Sequence, residues 1–213
     1  MLRTPGPAHA SPTRDDACGD GAYDLDMFTE TVTKKLFTID EFQRIEDAGI
    51  FPPDSRFELI RGEIIEMPQP TGRHIGRVNK LTRLFTSTLG ETVIVSVQNA
   101  VRIRPRSRPR PDVALLKPLP ELFGAFEPTP DDVLLLIEIS DSTVRYDRRT
   151  KSRLYAEAAI PEYWILNISE NVLEVRTDPA DGQYRRTEIF KPGQTISPQK
   201  LSAVTFAVDD ILG

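Results

Sequence analysis

The sequence predicts one α/β (α+β) domain, a central mixed β-sheet flanked by helices, on three observations. Short apolar stretches of strand length recur along most of the chain, interrupted by segments with helical periodicity. One of them, residues 133–139, is an almost unbroken apolar run of the kind found in strands covered on both faces. The length of 213 residues, with 39% hydrophobic and 28% charged residues, suits an ordinary globular chain with a single core.

Residues 1–34 carry Pro5, Pro7, Pro12, Gly19 and Gly21 with few large apolar side chains. Such a segment buries too little surface to offset the entropy of ordering, so a flexible tail is expected, with the folded domain over 35–213. Order begins at Thr38, which has capping-box spacing to Glu41, and Ile39, Phe42 and Ile45 follow at helical intervals up to Gly49. Residues 57–60 and 63–67 read as two strands joined at Arg61-Gly62, a hairpin. From Thr71 to Leu89, Ile75, Val78, Leu81, Phe85 and Leu89 repeat every three or four positions and Gly90 ends the pattern, predicting an amphipathic helix.

Alternating Val93, Val95, Val97 and then Val101, Ile103 predict one strand over 92–104, or two broken near Asn99. Residues 113–116 and 133–139 are the expected central strands. A helix over 147–159 follows, closed by Pro161, and strands over 163–166, 172–176 and 184–190 complete the sheet, with a turn from Asp178 to Gly182.

Composition narrows the function. No apolar run approaches the roughly 18 residues that span a bilayer, and the N-terminus lacks the basic-then-apolar order of a secretory signal, so the cytoplasm is the expected location. The single Cys18 and two histidines assemble neither an intrachain disulfide nor a Cys/His zinc cage, so any metal must be held mainly by oxygen. A net charge of −5 argues against a protein that coats nucleic acid non-specifically, while leaving room for a local basic patch.

Two acids sit where charge is expensive. Asp112 follows Pro111 at the entry to an apolar strand, and Glu138 lies inside the most apolar strand of the chain. A buried carboxylate needs a cation, a hydrogen-bond network or a proton, and two at neighbouring strand ends suit one Mg²⁺ (or Mn²⁺), which takes oxygen ligands. On the following helix, Lys151 shares a face with Leu154, Tyr155 and Ala158, so it leans inward over the sheet, where it can neutralise the acids, orient a water or stabilise charge at phosphorus. The alternative for Lys151 is a lysine snorkelling from an amphipathic face. Glu58, which shares its strand face with Ile60, is a third candidate acid, set against an ordinary strand glutamate.

Arg102, Arg104, Arg106, Arg108 and Arg110 alternate directly before Asp112. An extended backbone puts all five on one side, a basic ridge suited to a polyphosphate; the alternative is a solvated, proline-stiffened loop that protects a sheet edge. His74 is either a first-turn polar residue or a group at the site that meets nucleic acid or moves a proton. Trp164 reads as core and not as a base-stacking platform.

Pro111-Asp112 followed by Glu138-Ile139-Ser140 resembles the PD-(D/E)XK nuclease superfamily, apart from Ser140 in the place of a lysine. The run Glu138-Ile139-Ser140-Asp141-Ser142-Thr143, then Asp147, Lys151, Tyr155 and Pro161-Glu162-Tyr163-Trp164-Ile165, is similar to one branch, the Uma-type family of small restriction-endonuclease-like proteins, in which the lysine has moved onto the helix. The hairpin 57–64 and the helix bearing His74 match that family too, so the resemblance spans about residues 36–212; Asp141 replaces an expected proline and Ala159 a commoner glycine. It implies a restriction-endonuclease-like core and Mg²⁺-dependent hydrolysis of DNA, with Asp112, Glu138 and the Ile139 carbonyl as metal ligands, Lys151 positioning water and Glu58 assisting. A homodimer would suit the cutting of two strands. Two other classes stand beside this reading: a nucleic-acid or protein binding module without turnover, and a carboxylate-pair glycosidase, to which one tryptophan and five tyrosines lend little support.

Overall fold

Thr38 and Glu41 open the first helix in the computed structural model, which describes residues 33–119 and 127–213. All but the last two residues of the expected tail lie outside the described residues. Helix α1 (Ile39–Asp47) starts at the capping box, where the backbone N–H of Thr38 donates to Glu41 at 2.8 Å and that of Glu41 to the Thr38 hydroxyl at 3.2 Å. Strands β1 (Arg56–Ile60) and β2 (Glu63–Met67) pair antiparallel as the expected hairpin. Its turn residues Arg61 and Gly62 have φ of 54° and 85°, the pair of positive angles that matches hairpin twist. Space demands glycine as well, since a Cβ on Gly62 would lie 2.7 Å from that of Leu36.

Helix α2 (Gly72–Leu89), capped by Thr71, buries Val78, Leu81, Phe85 and Leu89. Ile75 departs from the expected apolar face and is exposed in the first turn. The main sheet runs β3-β4-β5-β6-β7-β8, comprising β3 (Ile94–Val97), β4 (Val113–Leu116), β5 (Val133–Ser140), β6 (Glu162–Asn167), β7 (Val172–Ala180) and β8 (Gln183–Phe190). Neighbours are antiparallel except β5 and β6, which are parallel. A parallel pair requires a crossover over one face of the sheet, and this one is helical: α3 (Val144–Tyr146), a π-helical turn (Asp147–Lys151) and α4 (Ser152–Glu157).

Period two sorts the side chains of β4 and β5. Val113, Leu115, Leu135, Ile137 and Ile139 pack with α2 and with the C-terminal helix α5 (Val208–Leu212), whereas Ala114, Leu116 and Leu136 pack with Leu154 and Tyr155 of α4. Glu138 falls on the second of these faces, beneath the crossover. A smaller cluster of Ile39, Phe42 and Leu59 binds α1 to the hairpin. Trp164 is fully buried and donates its Nε1–H to Glu162 at 2.7 Å, as a core residue.

Three expectations are corrected. The stretch over 92–104 breaks at Gln98, whose φ is 53°, next to the expected break at Asn99, and only its first piece, β3, forms a strand. Ile103 and Ser107 instead bond each other at 2.9 and 3.0 Å around a tight loop, and the N–H of Arg108 docks on Leu59 at 2.7 Å. The expected turn from Asp178 to Gly182 narrows to Asp181-Gly182, with φ of 52° and 72°, and β7 extends through Pro179. The crossover helix begins three residues before its expected start. Strands β9 (Thr195–Ile196) and β10 (Phe206–Ala207), too short to carry a period, form a separate pair before α5.

Gly62→Ala should lower stability by about 1–3 kcal/mol, combining the positive φ with the collision at Leu36. Urea denaturation of variant and wild type measures it, and an unchanged midpoint would show that the hairpin turn relaxes freely.

Candidate active site

Lys151 is only 1% exposed although it carries an ammonium group. Its Nζ donates to Glu138 Oε1 at 2.9 Å and to Glu58 Oε1 at 3.1 Å, bridging β5 to the hairpin. Three elements supply this arrangement: β1 brings Glu58, β5 brings Glu138, and the π-helical turn aims Lys151 down onto the sheet. The expected face, with Leu154 and Tyr155 buried beside Lys151, is present in spite of that turn. Widened turns of this kind are often found at functional sites.

Asp112 enters from the strand next to Glu138. Its Oδ2 accepts the N–H of Ile139 at 2.9 Å and lies 2.9 Å from His74 Nε2, while Oδ1 accepts from Gln98 at 3.3 Å. His74, anchored in the first turn of α2, therefore holds the acid and is itself largely buried. The Tyr155 hydroxyl donates to Glu138 Oε1 at 2.9 Å, and the N–H of Arg110 donates to Glu58 Oε1 at 3.0 Å. Asp147, buried in the same cleft, accepts from Ser140 at 2.6 Å and Thr143 at 2.7 Å.

Electrostatics follow from burial and neighbours. Burial pulls the Lys151 pKa down, but the carboxylates of Glu138, Glu58 and Asp147 outweigh it and keep the ammonium well above its ordinary range. Burial pushes Glu138 well above its usual value; Lys151 opposes this, and the charges of Asp147, Asp112 and Glu58 add to it. Burial also raises Asp112, yet the hydrogen bond and charge of His74, with the Ile139 N–H and Lys151, bring its pKa below the ordinary range.

The cleft thus gathers four carboxylates, of Glu58, Asp112, Glu138 and Asp147, around one ammonium group, and their excess negative charge suits a cation. Glu58 Oε2 is buried without a hydrogen-bond partner among the described residues. Lys151 and Tyr155 both engage Oε1 of Glu138, which leaves Oε2 for another ligand. The cleft offers about 60 Å³, room for a few waters or a hydrated cation, since one water needs roughly 10–15 Å³. Among the described residues no group of three or more His, Cys, Asp or Glu side chains forms a ready metal cage. A site of two carboxylates completed by main-chain oxygen and water is the kind that takes Mg²⁺.

The arginine ridge does not form. The chain turns at Arg104-Pro105-Arg106, and Arg102 pairs with Asp40 at 3.0 Å, Arg108 with Glu46 and Glu127, and Arg110 with Glu46 at 2.8 Å. Only Arg104 and Arg106 are exposed. Prolines and nearby acids, which a period-two reading ignores, decide the outcome. Sequence reasoning passed over the Tyr155 hydroxyl, although its position four residues after Lys151 on the inward face was the available signal. It also missed Gln98, which no local pattern marks.

The six-stranded mixed sheet with helices packed on both faces is the expected restriction-endonuclease-like core. The chain belongs to the Uma2 family, whose model, described as "Putative restriction endonuclease", matches residues 39–209. A crystal structure from Anabaena variabilis ATCC 29413, described as "a putative nuclease belonging to DUF820", is similar with a TM-score of 0.63. The two chains are 19% identical, over 83% of this chain and 97% of that one, a likeness that carries the fold. No curated protein matches.

Two outcomes are expected of the charge cluster. Lys151→Met leaves Glu58 and Glu138 without their shared cation and should cost about 3–5 kcal/mol in urea denaturation; a loss below 1 kcal/mol would mean that the pair is dispensable. The raised pKa of Glu138 sets the sign of a pH effect. The folded protein keeps this proton after the unfolded chain, near pH 4.3, has lost it, so the contribution is full below that value and declines as pH rises toward the folded pKa. In EDTA, the Tm of wild type should therefore fall relative to that of Glu138→Gln between pH 5 and 8, and parallel curves would contradict the assignment.

Proposed function

We propose that this protein is a metal-dependent endonuclease that hydrolyses phosphodiester bonds in DNA. The observation that carries the reading is the buried Lys151 ammonium, held between Glu58 and Glu138 in a cleft that also contains Asp112. For stability alone a buried ion cluster is better replaced as a whole by apolar residues, whereas a phosphoryl site needs fixed positive charge beside its acids. Membership of a family whose model is described as "Putative restriction endonuclease" supports the same chemistry.

Asp112 and Glu138, with the main-chain carbonyl of Ile139, would hold Mg²⁺ or Mn²⁺. Such an ion, when bound, supplies a water acidic enough to attack at neutral pH and offsets charge on the phosphate. The chain's own groups do the remaining work. Lys151 keeps its proton and so presents positive charge where negative charge grows on the phosphate oxygens. His74 fixes the orientation of the Asp112 carboxylate, and Tyr155 that of Glu138, so that both acids enter the reaction already placed. Glu58 restrains Lys151 from the hairpin side and presents its unpartnered oxygen to the cleft edge.

The test joins binding to turnover. Isothermal titration with Mg²⁺ or Mn²⁺ should show binding to wild type and none to Asp112→Asn/Glu138→Gln. Plasmid nicking should fall by about 10²–10³ in Lys151→Ala, the scale set by removal of one transition-state donor. A wild type that binds metal but nicks neither plasmid nor single strands would return the fold to the binding-module reading.

A further inference from the structure

The crossover that carries Lys151 also carries four arginines, and their partners divide them. Arg148 is bonded to Glu174 and Glu170, and Arg153 to Glu157. Arg145 and Arg149 are exposed and have no carboxylate partner among the described residues. They stand four residues apart, which on a helical segment brings two side chains to the same side.

Between these guanidinium groups lies a shallow depression of about 420 Å³, lined by Ser142, Thr143, Arg145, Tyr146, Arg149 and Thr150. Ser142 and Thr143 also line the acidic cleft, so the two hollows share a wall. Two free guanidinium groups with the hydroxyls of Ser142 and Thr150 form a surface of donors, and a chain of phosphates is the ligand that such a surface takes.

We propose that Arg145 and Arg149 bind backbone phosphates of the DNA strand next to the one placed in the Lys151 cleft, making this depression the track along which the substrate enters. The proposal rests on the nuclease reading for the identity of the ligand. It moves the electrostatic footprint from the loop around Arg104 and Arg106 to the helix that carries the active-site lysine. Both arginines are exposed, so replacing them leaves the core and the acid cluster intact.

Anisotropy of a fluorescent duplex oligonucleotide, titrated in EDTA at several salt concentrations, tests it. Arg145→Ala/Arg149→Ala should weaken binding and reduce the slope of log K against log salt by about 1.8, since each lost phosphate contact removes about 0.9. Arg145→Lys/Arg149→Lys should restore most of the slope. Wild-type affinity and slope in the alanine variant would overturn the proposal, as would a loss that appears only in Arg104→Ala/Arg106→Ala, or a wild type that binds no DNA. The two readings fail separately. Binding lost in the alanine variant, with no nicking by wild type in Mg²⁺, would keep the track and remove the nuclease; nicking with unchanged binding would do the reverse.

Discussion

The ammonium group of Lys151 ties together with charge three elements that an apolar cluster also holds, the hairpin, β5 and the crossover. Glu58 sits on a small hairpin outside the main sheet, Glu138 in the middle of that sheet, and Lys151 on the crossover above it. In a nearly dry interior each of these charges alone costs several kcal/mol, so the three are tolerable only together. That mutual dependence fixes the depth of the crossover over β5 and the approach of the hairpin, and through them the width of the cleft. Even so, the cluster stays short of positive charge, because Asp112 and Asp147 add two carboxylates to the same cleft. A fold optimised for stability alone would have filled this seam with leucine.

The surrounding groups look like answers to the same shortage. Apart from Lys151 and Gln98, the donors that reach Glu58, Asp112 and Glu138 are rigid: the backbone N–H groups of Ile139 and Arg110, the Tyr155 phenol, and the His74 ring held by its helix. Backbone donors cost no side-chain entropy and cannot rotate away, so the carboxylates are oriented before any ligand arrives. Asp147 receives two hydroxyl hydrogen bonds in the same way, from Ser140 and Thr143.

How far the sequence disclosed this depends on the range over which each signal acts. The capping box at Thr38, the turn at Arg61-Gly62, the apolar face of α2 and the run that becomes β5 are all local, and each appears where periodicity or turn chemistry predicts it. Asp112, Glu138 and Lys151 were legible because a charge inside an apolar pattern is itself a local anomaly. The arginine segment was misread because its structure is decided at a distance: Glu46 lies on α1 and Glu127 beyond β4, and both capture side chains that an extended strand would have left free. His74 was ambiguous for the same reason, since its bond to Asp112 joins two elements with a strand between them in sequence.

The position of Ser140 explains how the lysine can sit on the helix at all. In an acid-x-lysine strand pattern the third residue shares a face with the acid, so its side chain would enter the same cleft from the strand. Here that position holds a short hydroxyl, fully buried and bonded to Asp147, which leaves the space above β5 open to a side chain descending from the crossover. Asp147 lies four residues before Lys151 in the π-helical turn, so the Ser140 hydroxyl also pins the start of the turn from which Lys151 projects. Serine on the strand and lysine on the helix are therefore complementary in space. A lysine at 140 with Lys151 retained would press two ammonium groups together and unseat Asp147, so the two positions are physically coupled.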